Sequence, residues 1–386
     1  MKVLITGASG FIGKNLQLHL SERHDIQVVC FTRKDDVTQL PFFLEDVDFV
    51  FHLAGVNRPE DPQEFTTGNL DLTQALCNAM GLLADRTGKK PTVIYTSTTQ
   101  AEGNLLYGES KRGAERALFS YQQSQRAPVH VFRLPNVFGK WCKPNYNSAV
   151  ATFCHNLARD LPIQINDPTA PVTLVHVDDV IARFFQLMDG ANAAPGQDGF
   201  EAVSPQYSTT VGALASQIHA FKDSRTMLLT ERVGTGLVRA LYATYISYLP
   251  PEAFAYTVPQ HVDARGVFVE MLKTPDAGQF SFLTANPGIT RGGHYHHSKT
   301  EKFLVIKGQA RFRFRHMQTG QFHEISTSGD LPEVVETVPG WTHDITNAGT
   351  SELIVMLWAN EVFDRSRPDT FPCPVQVPYS RLDATP

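Results

Sequence analysis

The chain has no basic excess: 34 Lys and Arg are outnumbered by 39 Asp and Glu, giving a formal charge of -5. Such a surface cannot displace counterions from many phosphates or coat an anionic bilayer, so neither nucleic acid nor membrane is an expected partner. Cysteine is sparse. Cys30, Cys77, Cys142, Cys154 and Cys373 show no metal-type spacing, and an odd count without a disulfide framework suits a reducing compartment. No apolar run reaches the ~20 residues that a bilayer core demands. The first apolar strand begins at Val3, which leaves no room for a secretory signal, so a soluble cytoplasmic protein is expected. Internal repeats and low-complexity tracts are also missing. At 386 residues the chain exceeds one ordinary core, and two domains are expected.

What is present starts at the first residues. Val3, Leu4 and Ile5 form a short apolar run, Gly7, Gly10 and Gly13 follow at three-residue spacing, and Leu16, Leu18 and Leu20 continue as an amphipathic stretch. This predicts strand, tight turn and helix. Glycines there let the backbone approach a pyrophosphate, and the N–H groups of the opening turn meet its charge. Ser9, Phe11 and Ile12 join the three glycines as candidate cofactor contacts. Residues 27–31 predict a second buried strand ending in Arg33 and Lys34, where an NAD-selective fold would carry an acid. Two cations suit a ribose 2′-phosphate, so NADPH is the expected cofactor; the alternative is a solvated strand end. A third strand over residues 47–53 runs into Ala54 and Gly55, and Leu53, Ala54 and Gly55 complete the cofactor set. The gap between the second and third strands holds a helix but hardly another strand, so the sheet should be trimmed at that edge.

Residues 66–80 read as a helix, and a strand at 93–95 ends in hydroxyls that include Ser97 and Thr98. Tyr107 and Lys111 follow, one helical turn apart on a single face. An ammonium there can lower the phenol pKa and contact the nicotinamide ribose, and Thr98 completes a proton-donating site for a carbonyl oxygen. A strand and loop at 133–139 precede Lys140, Trp141, Asn145 and Asn147. Loops at that edge hold substrates in open α/β folds, so Asn136, Lys140, Asn145 and Asn147 are candidate substrate contacts. Asp178 and Asp179 are expected to cap a helix rather than to catalyse. Residues 189–199 read as a loop and 211–221 as a helix. The apolar run at 237–249 is broken by Pro250 and Pro251, which puts the domain boundary at 246/247, with domains 1–246 and 247–386.

Beyond residue 261 the texture changes to short alternating runs separated by Gly, Asn and Asp, which predicts a β-barrel or sandwich. The Arg/Phe alternation at 310–315 is one buried and one solvated face rather than a nucleic-acid stripe. His294 and His296 share a strand face, and Glu301 and His343 can close three nitrogens and one oxygen around zinc or another divalent transition metal. His297 offers an alternative register. A metal-free barrel whose histidines line a sugar pocket is the other possibility.

The residues also carry resemblances. The 7/10/13 glycines, His52-Leu53-Ala54-Gly55, Asn69, Thr98, Tyr107/Lys111 and residues 133–139 resemble the extended short-chain dehydrogenase/reductases. Members that dehydrate nucleotide sugars carry Asp-Glu after the catalytic hydroxyl; Thr99-Gln100 here disfavours dehydration and leaves carbonyl reduction. The region from Gly288 to Gly308, with residues 339–347, resembles the paired cupin motifs, although it is one residue short between Pro339 and Gly340. Residues 263–270 resemble the opening strand of cupin-like epimerases of nucleotide-linked keto-sugars. The resemblance thus implies an α/β Rossmann-type parallel sheet followed by an all-β cupin barrel. Its whole-chain form is that of bifunctional capsule and O-antigen enzymes, which 3-epimerise and then 4-reduce a UDP-2-acetamido-2,6-dideoxy-4-hexulose to UDP-N-acetyl-6-deoxy-L-talosamine. A UDP-linked 4-keto-6-deoxy amino sugar, NADPH, zinc and a homodimer are what this class implies. Two rivals are a reductase with a merely structural metal barrel, and a non-catalytic NADPH-sensing regulator. Sensors of that kind usually lack the Tyr/Lys pair.

Overall fold

The computed structural model describes residues 1–191, 199–263, 266–269, 271–272, 274, 278–361 and 366–375. The chain divides into two compact units, Met1–Ser148 with Pro171–Thr209, and Ala149–Ala170 with Thr210–Pro386. No helix among the described residues is long and apolar enough to cross a membrane.

The first unit is built on strands β1 (Lys2–Thr6), β2 (Gln27–Phe31), β3 (Phe49–His52), β4 (Thr92–Thr98) and β5 (Val129–Leu134), all parallel in the order β2-β1-β3-β4-β5. These strands are near-continuous apolar runs because helices cover both faces. Leu4, Val50 and Val93 pack with Leu76, Met80 and Leu118 on one face; Val3, Ile5, Phe51 and Ile94 pack with Leu16, Leu20 and Phe184 on the other. Between β2 and β3 lie only the short turns Val37–Gln39 and Leu40–Phe43, so β2 is the sheet edge, as the short gap predicted. Chain order reverses at β1, with β2 on one side and β3 on the other. The crevice beyond the carboxyl ends of β1 and β3 is therefore where a ligand belongs. The helix expected from residue 66 begins as a π-helical stretch, Thr66–Asp71, and continues as Leu72–Thr87 to a left-handed Gly88 (φ 74°).

In the second unit, helices Ala149–Leu157, Val211–Met227 and Gly236–Ser247 pack on one another. The last of these carries the apolar run assigned from sequence to the first domain. Its buried Tyr242 stacks edge-on against Phe221, 5.2 Å between ring centroids, which ties it to the second unit. Two antiparallel five-stranded sheets follow. One runs Gln279–Ala285, Leu353–Ala359, Glu301–Lys307, Glu333–Glu336, Ala255–Thr257; the other runs Phe322–Ser328, Gln309–His316, Trp341–Asn347, Thr290–Tyr295, Phe371–Pro372. No strand ladder joins them among the described residues, so the β region is two sheets rather than a hydrogen-bonded closed barrel. Ala310, Phe312 and Phe314 are buried while Arg311, Arg313 and Arg315 alternate on the other face, and Arg313 forks onto Asp344 at 2.8 and 2.7 Å. Of the residues that resemble an epimerase opening strand, Ala264, Arg265 and Glu270 lie outside the described residues. So do residues 192–198 of the expected loop and 376–386 of the tail.

Candidate active site and candidate metal centre

At the carboxyl end of β1 the backbone turns through Gly7 at φ 72°, where a Cβ would stand 2.6 Å from the Ala54 nitrogen. Gly13, in helix Phe11–Ser21, is equally confined: its Cβ would fall 2.3 Å from the Gly7 carbonyl. Turn, helix start and the loop after β3 therefore meet backbone to backbone, leaving a bare peptide cradle of the sort a pyrophosphate needs. A cavity of about 330 Å³ opens over it, lined by Gly7, Gly10, Phe11, Ile12 and Gly13 on one side. Leu53, Gly55, Thr98, Tyr107 and Lys111 line it too, with Asn136, at the start of the short strand Asn136–Phe138, and Asn147 from the loop that follows it. The three residues chosen for chemistry thus share one cavity with the glycine turn.

Their environments differ from the simplest expectation. Lys111, fully buried, donates from Nζ to the Thr96 carbonyl at 2.7 Å and lies over the Tyr95 ring at 4.3 Å. Burial pushes its pKa down to about 7, against the pull of Glu115 one turn further along the helix Leu106–Gln125. Tyr107 stands above, not below, its ordinary value, because burial outweighs the hydrogen bond from Thr98. The expected lowering of the phenol by Lys111 is not seen; the Lys111 ammonium is held at the Thr96 carbonyl. Thr98 ends β4 and caps the following turn, its Oγ1 accepting from the Gln100 N–H at 3.2 Å.

Ser97 is engaged elsewhere: it donates to Glu115 at 2.5 Å, and Arg133 holds the same carboxylate at 3.0 and 2.7 Å. Glu115 was not anticipated from the sequence, although its place four residues after Lys111 was the available signal. Lys143 and Tyr146 also line the cavity and were not anticipated. Asn69 braces the loop after β3, accepting from the Val56 N–H at 2.8 Å and donating to the Ser110 hydroxyl at 2.9 Å.

Other expected contacts lie outside the cavity lining. Lys140 is buried in an ion pair with Asp178 at 3.1 Å, and its charge is spent on that carboxylate. Burial opposes ionisation of Asp178, yet Lys140 and His176 hold it well below the usual carboxylate range. Asn145 is exposed with a left-handed φ of 52°. Ser9 and Ala54 do not line the cavity, and Arg33 and Lys34 stand exposed just past the end of β2. Asp178 and Asp179 occupy the first turn of helix Val177–Met188, but the N-cap position is His176 and no side chain caps it, so the expected capping role is not taken.

In the second unit, His294 on strand Thr290–Tyr295 pairs in register with His343 on strand Trp341–Asn347. His296 and Glu301 join them, and one ligand atom from each of the four lies within 4.8 Å of the others. His296 Nε2 is 3.2 Å and His343 Nε2 3.7 Å from the same oxygen of Glu301. Burial pushes His294 down to about 3 and lowers His343, so both imidazoles are neutral. Glu301 is held well below its ordinary value by His296 and His343 despite its burial. Neutral imidazoles and an ionised carboxylate are the ligating forms. Neither ring nitrogen of the buried His343 has a hydrogen-bond partner among the described residues, a loss of about 1–3 kcal/mol that a coordinated cation would relieve. The set therefore fits a divalent metal. His297 is not in it; its ring lies against Tyr295 and Phe371, at 5.5 and 5.0 Å between centroids.

Comparison with known proteins adds the following. Residues 3–201 match the NAD dependent epimerase/dehydratase family, and residues 261–371 match the polysaccharide biosynthesis C-terminal domain. The chain is 60% identical over 377 residues to the UDP-2-acetamido-2,6-beta-L-arabino-hexul-4-ose reductase of Pseudomonas aeruginosa, covering 97% of this chain and 99% of that protein. The crystal structure of the capsular polysaccharide assembling protein CapF from Staphylococcus aureus is similar at 40% identity and a TM-score of 0.65, covering 97% of this chain and all of that one (100%). A structure of CapF with the inhibitor 3-isopropenyl-tropolone gives 36% identity and 0.60 over 97% and 100% of the two chains.

Proposed function

The chain belongs to the NAD dependent epimerase/dehydratase family, and from that premise we propose that it is a two-site nucleotide-sugar enzyme. Its first site reduces the carbon 4 ketone of a UDP-2-acetamido-2,6-dideoxy-4-hexulose with NADPH. Its second, in a cupin-like β domain, epimerises carbon 3 beforehand, and the product is UDP-N-acetyl-6-deoxy-L-talosamine. The observation that carries this reading is the meeting of Thr98, Tyr107 and Lys111 in the cavity above the Gly7–Gly13 cradle. Thr99 and Gln100 line the same cavity where a dehydratase would need an acid pair, which favours plain reduction.

Bound NADPH supplies the hydride. Tyr107 gives its phenolic proton to the oxygen that was the ketone, Thr98 orients that oxygen, and the ammonium of Lys111 favours the phenolate left behind. Arg33 and Lys34 are the proposed partners of the 2′-phosphate. Asn136 and Asn147 face the sugar nucleotide. Lys140 and Asn145, outside the cavity lining, would contact substrate only after a rearrangement.

The order of the steps follows from the chemistry. A proton on carbon 3 is acidic only while carbon 4 is a ketone, since the carbonyl oxygen takes up the charge as an enolate. Epimerisation must precede reduction, which then locks the new configuration. His294, His296, Glu301 and His343 would hold the divalent ion, zinc in this reading. The ion supplies positive charge to a substrate oxygen or holds the pocket in shape. We also propose a homodimer and a covalent division near 246/247 between the two functional parts.

The test is incubation with the UDP-4-keto-sugar in D₂O. Deuterium should enter carbon 3 without NADPH; His294→Ala should abolish that exchange and Tyr107→Phe leave it intact. Tyr107→Phe should instead lower hydride transfer by a factor of roughly 10² or more. Exchange that survives His294→Ala, or that needs the Tyr107 hydroxyl, would overturn the division of labour.

A further inference from the structure

We infer that Asp369 is a positioning residue for the metal centre, acting through the backbone of residues 296–299 from a segment that contributes no ligand itself. The inference rests on the metal reading proposed above and deepens it. The Asp369 carboxylate accepts three successive backbone N–H groups, His297 at 2.8 Å, Ser298 at 2.8 Å and Lys299 at 2.7 Å, with the Ser298 hydroxyl at 3.2 Å. Successive N–H groups turned to one side form an anion-binding concavity, here filled by the chain's own side chain. Charge-assisted bonds of this kind are roughly twice as strong as neutral ones, so the loop leading from His296 to Glu301 is tied to one conformation.

The same residue acts on His296 directly. Its backbone carbonyl accepts from His296 Nδ1 at 2.5 Å, which puts the hydrogen on Nδ1 and leaves the Nε2 lone pair facing the cluster, 3.2 Å from Glu301. A histidine ligand whose second nitrogen is so engaged has its tautomer and ring angle fixed. The residues that follow fasten the same stretch. Thr370 accepts from Lys299 Nζ at 3.0 Å, and the Phe371 ring stacks on Tyr295 at 5.5 Å and 28°. Phe371 and Pro372 pair as a strand with Tyr295 and His294. Two of the four proposed ligands, His294 and His296, are therefore held from one segment, and among the described residues of that clamp the carboxylate is that of Asp369.

The experiment uses the full chain, loaded with zinc and dialysed, as wild type, Asp369→Asn and Asp369→Ala. Zinc retention is titrated against a competing chelator, and the visible spectrum of the cobalt-substituted protein reports coordination directly. Asp369→Ala should weaken metal binding by about 10–100-fold and alter the cobalt bands. Asp369→Asn, which keeps one acceptor oxygen, should fall between. Circular dichroism checks folding; if the alanine variant does not fold, the asparagine variant decides. A wild type that binds no metal removes the metal reading and this inference with it. A wild type that binds, beside a folded variant of equal affinity and unchanged cobalt spectrum, overturns the role of Asp369 alone.

Discussion

One substitution, glycine to alanine within a helix, should change stability in opposite directions at Gly13 and Gly81. In an open helix position alanine gains about 0.5–1 kcal/mol over glycine, because it loses less backbone freedom on folding. Gly81, in helix Leu72–Thr87, has that freedom: its added Cβ would meet nothing nearer than the end of the Gln125 side chain at 3.9 Å. At Gly13 the Cβ would stand 2.3 Å from the Gly7 carbonyl, 2.8 Å from Ala8 Cα and 2.9 Å from the Ala8 carbonyl. All three are backbone atoms of the turn and cannot swing aside, so helix and turn must part by about 1 Å to regain ordinary contact. Overpacking of this kind costs about 1–3 kcal/mol, which outweighs the propensity gain and leaves a net loss of up to about 2 kcal/mol. The parted turn is also the cradle proposed for the pyrophosphate, so NADPH affinity should fall with it. Urea unfolding of the two variants, with NADPH binding followed by fluorescence, measures both effects. A Gly13→Ala protein that is stabilised like Gly81→Ala, or that binds NADPH as wild type does, would refute the backbone-contact account of this turn.

Three further outcomes are expected. Arg33→Ala should erode the preference for NADPH over NADH more than it harms turnover with NADH, and equal use of both by the wild type would remove the assignment. Reductase activity should fall as pH rises through about 7, where Lys111 gives up its proton, and Glu115→Gln should move that limb to lower pH. The groups around Lys111 support the sign: His52 is pushed down to about 3 and is neutral, Tyr95 is raised and neutral, Tyr107 is raised and neutral, and the Arg133 guanidinium lies beyond Glu115. Because folded Lys111 binds fewer protons than unfolded chain between about 7 and the ordinary 10.5, its contribution makes stability rise with pH across that window. Finally, Lys302 and Glu336 form a fully buried ion pair, with Arg225 Nη1 3.4 Å from the same carboxylate. Glu336→Gln leaves two cations uncompensated and should cost about 3–5 kcal/mol in urea unfolding.

The parts of the fold legible in the sequence are those fixed by local pattern. Apolar runs at β1, β3 and β4 had to be buried on both faces, and the brevity of the segment after Phe31 dictated an edge at β2. Tyr107 and Lys111 could be paired because a helix turns once in about four residues; His294 and His296 were expected on one strand face, but the strand is Thr290–Tyr295 and His296 stands one residue past its end. What escaped was set by distance along the chain. Asp369 is 72 residues from the His297 N–H it binds, and no spacing rule links them. Lys140 looked like a phosphate ligand because the sequence could not show Asp178, 38 residues on, beside it. Lowering of the Tyr107 phenol was expected from the helix spacing alone, but burial, a tertiary property, decided the sign.

The cap at the end of β4 gives the reductase site a direction. A hydroxyl owns one hydrogen, and the Thr98 oxygen already receives the Gln100 N–H. That hydrogen must therefore point away from the turn. The side chain that caps the first turn after β4 is the same one proposed to orient a substrate oxygen, so its rotamer is set by the backbone it closes. Serine at this place would keep cap and hydroxyl together, whereas valine, of the same shape, would lose both.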